Sequence, residues 1–115
     1  MAQGIILPHF ARQLKQYVKK HRSIKDDLVG LLESFDKREH SFLGHGLYKV
    51  RLKVQSLTRG KSASFRVIIL LASHKSFLVP IDIYSKGERE NMSQKDINKH
   101  LEIVLFELHM QNIYL

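Results

Sequence analysis

The sequence predicts an α+β domain. Its antiparallel twisted sheet, a short N-terminal strand plus a three-strand meander, carries an N-terminal helical hairpin and a C-terminal helix. Three observations lead there. Residues 46–54, "GLYKVRLKV", alternate Tyr48, Val50, Leu52 and Val54 with Lys49, Arg51 and Lys53, the period of two of a half-buried strand. Two more strand-length segments, 65–73 and 76–84, follow at spacings too short for crossovers, so sequential strands pair antiparallel. Segments of helical period flank this block on both sides.

Taken in order, residues 3–7, "QGIIL", read as a short strand that Pro8 ends. Phe10, Leu14, Tyr17 and Val18 then fall at i, i+4, i+7 and i+8, an amphipathic helix whose basic end suits its dipole. "SIKD" at Ser23 resembles a capping box closed by Asp26, and Leu28, Leu31, Leu32 and Phe35 stripe a second helix that fades near Glu39. "HSFLGHG", residues 40–46, reads as a Gly-bearing loop, and "LTRGKSAS", punctuated by Gly60, as another. "FRVIILLAS" is apolar on both faces and fits a central strand. After a turn near His74 and Lys75, "SFLVPIDIY" is a strand in which Pro80 needs either an outward-facing position or a bulge. Ser93, with Asp96 three residues on, caps a closing helix whose core face is Ile97, Leu101, Val104, Leu105 and Leu108. The helices are expected on one face of the sheet, leaving the other partly open.

The 115 residues suit a single domain, 1–115, and 43% apolar content can supply its core. There is no cysteine, which excludes disulfides, thiolate metal sites and a cysteine nucleophile, and fits a reducing cytoplasm. The longest apolar run, "VIILLA" at 67–72, is far short of the roughly 18 residues of a membrane span. The N-terminal patch lacks a basic lead, so no secretory signal and no membrane partner are expected. Net charge is +8, unevenly spread. Residues 46–86 hold 8 basic and 1 acidic side chains, giving +7, whereas 1–45 carry +3 and 87–115 carry −2. Such concentration suits phosphates or an acidic protein segment.

Lys49 and Arg51 point the same way, about 7 Å apart along their strand. Arg66 has parity opposite to Phe65, Val67 and Ile69, so it shares the open face of Lys49 and Arg51 if the register allows. Its planar fork can hold two phosphate oxygens. The competing role for Arg66 is a structural salt bridge to Asp82, and for Tyr84 it is core packing. The seven histidines show no ligand spacing, so no metal and no cofactor are expected. His45, just before the basic strand, is the histidine placed for acid–base work. "RGKSAS" lacks the earlier glycine of a Walker loop, and no nucleophile elbow appears.

Two long strings, "LGHGLYKVRLKVQSLTRGKSASFRVIILLA" and "IDIYSKGERENMSQKDINKHL", resemble the RelE/ParE superfamily of type II toxin–antitoxin toxins, most of all RelE- and HigB-like members. The resemblance spans nearly the whole chain and is most specific over 44–98. It implies a RelE-like fold and a cytoplasmic mRNA interferase, an endoribonuclease that cuts mRNA, often on the ribosome. Such enzymes work without metal, by attack of the RNA's 2′-hydroxyl on the adjacent phosphate, and a cognate antitoxin neutralises them. By the family's pattern Lys49, Arg51, Arg66, Tyr84 and Lys86 match catalytic positions, with Lys49 expected in proton transfer and Arg66 on transition-state charge. Lys53, Lys61 and Arg89 are expected to touch RNA. Ala63 and Ser64 stand where the family often has two glycines. Gly87 and Ser93 replace an arginine and a tyrosine of the RelE branch. The rival readings are a ParE-like gyrase inhibitor without nuclease activity, and an inactive relative that only binds antitoxin or RNA.

Overall fold

The computed structural model describes residues 3–55, 62–72, 74, 76–88 and 91–114. The elements are β1 (Gln3–Gly4), α1 (Pro8–Val18), α2 (Ile24–Glu33), a 3₁₀ turn (Lys37–Glu39), β2 (Ser41–Gly44), β3 (Leu47–Gln55), β4 (Ser62–Ala72), β5 (Phe77–Ser85) and α3 (Gln94–Met110). The strands form one sheet in the order β1-β5-β4-β3-β2, with β4 at its centre.

The meander over β3, β4 and β5 is antiparallel, as the spacing predicts. Two pairings depart from expectation. Residues 41–44, read as loop, form a strand on the edge beside β3, and β1 runs parallel to β5, so the sheet is mixed. The β2–β3 turn works because Gly44, His45 and Gly46 all have positive φ. At Gly46 a Cβ would come within 3.0 Å of the Leu71 carbonyl, so only glycine fits without a shift.

Pro80 sits at a bulge. Ile69 faces Pro80 and Ile68 faces Asp82, leaving Ile81 as the extra residue. Gln13 of α1 serves the backbone there, its Nε2 donating to the Ile81 carbonyl (3.1 Å) and its Oε1 accepting from the Ile83 N–H (3.3 Å).

The sheet is covered on both faces, not on one. Val50, Leu52, Val54, Phe65, Val67 and Ile83 pack under α1 and α2, against Phe10, Leu14, Leu28 and Leu32. On the opposite face Leu47, Ile68, Leu70, Ile81 and Tyr84 pack against Ile97, Val104 and Leu108 of α3. Leu105, expected in that core, is 43% exposed, because the buried stripe of α3 is narrower than the full apolar set. α3 covers only part of its face, and the uncovered remainder carries the basic residues.

Caps follow tertiary needs as much as local ones. Ser93 Oγ accepts from the Asp96 N–H (3.1 Å) as predicted. Ser23 does not close a box with Asp26. Its backbone is already helical, and its hydroxyl donates to Asp27 (2.7 Å). α2 ends at Glu33, short of Glu39. The first turn of α1 has no acidic residue of its own, and Glu107 of α3 accepts from the His9 N–H (2.9 Å). His9 Nε2 and His100 Nδ1 lie 2.7 Å apart, and His100 Nε2 lies 3.3 Å from the buried Asp82 carboxylate. Among the described residues no helix is long and apolar enough to cross a membrane.

Candidate functional site

Alternation along β3 sends Leu47 beneath α3 and leaves Lys49, Arg51 and Lys53 on the uncovered part of the same face. The β3–β4 register then sets Arg51 directly opposite Arg66, and Lys53 opposite Ser64. Directly opposed like charges destabilise a strand pair, so this sheet tolerates a repulsion that packing alone would remove. Arg66 also faces Tyr84 across β4–β5.

A third wall comes from the segment leading into β2. Ser41 pairs with Lys49, which brings Glu39, His40 and Ser41 against the basic strand. Together with Lys49, Arg51 and Arg66 they line an open depression of about 520 Å³. The 3₁₀ turn that delivers them is fixed at its start by Asp36, which accepts from the Arg38 N–H (3.0 Å) and pairs with its guanidinium (2.8 Å). Those hydrogen bonds hold the Asp36 carboxyl at about 2. The His40 ring stacks on Phe35, with centroids 5.1 Å apart and planes 24° from parallel.

Lys49 Nζ donates to Asn91 Oδ1 (3.1 Å), a contact to the segment before α3. Arg66 donates weakly to the Phe65 carbonyl (3.4 Å). Among the described residues Lys49, Arg51, Lys53 and Arg66 form no ion pair, so their charge is available to an external anion. The alternative partner for Arg66, Asp82, lies opposite Ile68, buried beneath α3 and beside His100.

Other expected residues are placed differently. Tyr84 is only 1% exposed and belongs to the core under α3, so its ring supports the groove from below. Lys86 is exposed in the turn after β5, and its N–H donates to the Ser64 carbonyl (3.1 Å), which anchors it at the groove's rim. His45 sits exposed in the β2–β3 turn and does not line the depression. Lys61 and Arg89 lie outside the described residues. His40 and Asn91 were not singled out from the sequence. Recognising "SFLGHGLYKV" as a hairpin would have brought His40 beside Lys49, whereas nothing local announces Asn91.

On the α1–α2 face of the sheet, Tyr17 Oη donates to Glu88 (2.6 Å), and burial together with that bond pushes the phenol's pKa well above its usual value.

The family model described as "RelE toxin of RelE / RelB toxin-antitoxin system" matches residues 9–113. A search of curated proteins finds no match. Among solved structures, the chain is similar to one in the crystal structure of the intact E. coli RelBE toxin–antitoxin complex. That similarity has 19% identity over 72% of this chain and 94% of the other, with a TM-score of 0.44. The match runs from the first turn of α1 to past the end of α3 and takes in every described wall of the groove, and the chain belongs to the RelE toxin family.

Proposed function

We propose that this toxin is a metal-independent mRNA endoribonuclease that works on ribosome-bound message in the cytoplasm. The observation that carries the reading is the convergence of Lys49, Arg51 and Arg66, without ion pairs among the described residues, on one depression that also holds an imidazole. In-line attack of a 2′-hydroxyl oxygen on the adjacent phosphorus breaks the bond to the 5′ oxygen, leaving a 2′,3′-cyclic phosphate and a 5′-hydroxyl. Negative charge grows on the non-bridging oxygens, where Arg51 and Arg66 sit as fixed donors. His40 takes the proton of the attacking hydroxyl, and Lys49, steadied by Asn91, delivers one to the departing oxygen. Lys53 and Lys86 extend a basic track for the RNA backbone, and Lys61 and Arg89 are proposed from the sequence to contact RNA as well. Tyr84 acts from beneath, as packing that holds Arg66 and Lys49 in register.

The same basic surface suits a cognate antitoxin. An acidic segment laid over the groove would neutralise the cations and exclude RNA together.

The test is incubation with mRNA, with and without ribosomes, in chelator, and mapping of fragment ends. Cyclic phosphate ends are expected, and Lys49→Ala and Arg66→Ala should each lower the cleavage rate by about 10²–10³-fold. RNA left intact under both conditions would overturn the reading. Inhibition of gyrase supercoiling with RNA intact would assign the protein to the ParE-like alternative.

A further inference from the structure

Beside the cationic depression lies a smaller cavity of about 200 Å³, and Lys49 borders both. Its floor is apolar and buried, made by Ile68, Tyr84 and Ile97. Leu43 of β2 and Met92, just before α3, are half-buried and supply its walls. The rim is polar. Asn91 Oδ1 accepts from Lys49 Nζ (3.1 Å), and Gln94 Nε2 donates to Asn98 Oδ1 (2.9 Å). Those bonds orient the two amides, so that Asn91 presents N–H donors and Gln94 a carbonyl acceptor.

This combination fits one ligand class. A bare phosphate gains nothing from an apolar floor. A drug-sized molecule needs more room, since such pockets begin at roughly 300 Å³. A single planar ring system with donors and acceptors on its edge matches both the size and the division into apolar floor and amide rim. A nucleotide carries such a ring tethered to a phosphate, and the phosphate site lies next door across Lys49.

We propose that this cavity is a nucleobase pocket. It receives the base of the nucleotide whose phosphate rests on Lys49, Arg51 and Arg66. Leu43 and Met92 lie against the ring faces, Met92 adapting its flexible thioether to the fit. Asn91 and Gln94 read the base edge with one donor and one acceptor. Because Asn91 also holds Lys49, an edge contact there reports directly on the placement of the Lys49 amine. The identification of RNA as the source of the base rests on the endoribonuclease reading, and the pocket would give that reaction its sequence preference.

The full-length protein, labelled at its methyl groups, is titrated separately with the four nucleoside 3′-monophosphates and with inorganic phosphate. One nucleotide is expected to bind about tenfold more tightly than the weakest and to move the Leu43, Ile68, Met92 and Ile97 methyls. Inorganic phosphate should leave those methyls in place. Gln94→Ala, at an exposed helical position, should shrink the preference to about twofold or less, and should redistribute the cut sites on RNA. Nucleotides that shift no more pocket methyls than phosphate does would overturn the proposal, as would an unchanged cut-site profile in both Gln94→Ala and Met92→Ala. The two readings fail separately. Nucleotides filling the pocket while RNA stays intact would uphold the base site and sink the nuclease, whereas cleavage with unmoved pocket methyls would do the reverse.

Discussion

Arg51 and Arg66 face each other across two strands, an arrangement that self-repulsion opposes and an anion relieves. Their common face was legible in the sequence, because strand parity fixes it, whereas the direct pairing comes from the β3–β4 register. His40 was not, since it enters the groove only through the pairing of Ser41 with Lys49. Tyr84 was open between chemistry and core packing: parity puts it beside Arg66, and its near-complete burial comes from α3, which begins ten residues later in the chain. His40→Gln keeps a polar side chain of similar reach but loses the basic nitrogen. It should therefore lower the single-turnover cleavage rate by about 10²-fold or more with RNA affinity little changed. Cleavage at the wild-type rate would pass proton abstraction to another group.

Strands with a clear period or a continuous apolar run were readable, and β2, which has neither, was not. β3 and β4 announce themselves through alternation and continuous apolarity, whereas β2 carries Phe42 at 63% exposure and has no buried face to pattern. The bulge in β5 follows from Pro80, but its consequence lies in α1. Gln13 supplies the hydrogen bonds that an adjacent strand would give, because β1 pairs only Phe77 and Leu78. Gln13→Ala should leave an Ile81 carbonyl and an Ile83 N–H poorly served. We expect a loss of about 1–3 kcal/mol in denaturant unfolding with an unchanged slope. Gln13→Glu should recover none of the Ile81 contact, because a carboxylate cannot donate to a carbonyl.

At the scale of the molecule the sheet separates two layers, α1 and α2 on one side, α3 and the open basic groove on the other. The sequence carried the apolar stripes that build both layers but not the side each helix takes, because a stripe specifies burial without naming a face. Two histidines tie this packing to pH. Burial lowers the pKa of His9 and of His21 below the ordinary 6.5, with Arg12 and Lys20 adding to the effect and Glu107 opposing it at His9. The unfolded chain therefore binds these protons more readily than the folded one. Stability is full above 6.5 and falls as pH drops below it. Denaturant midpoints at pH about 8 and about 5 should show this decline, and His21→Leu should flatten it. The contact between Glu107 and the His9 N–H also has a consequence in time. The first helix receives its cap from a residue 98 positions further along the sequence, and β1 waits for β5, so the first helix and strand are completed only by residues made much later. During synthesis the first helix would thus stay uncapped until Glu107 has followed it, however strong its own helical pattern.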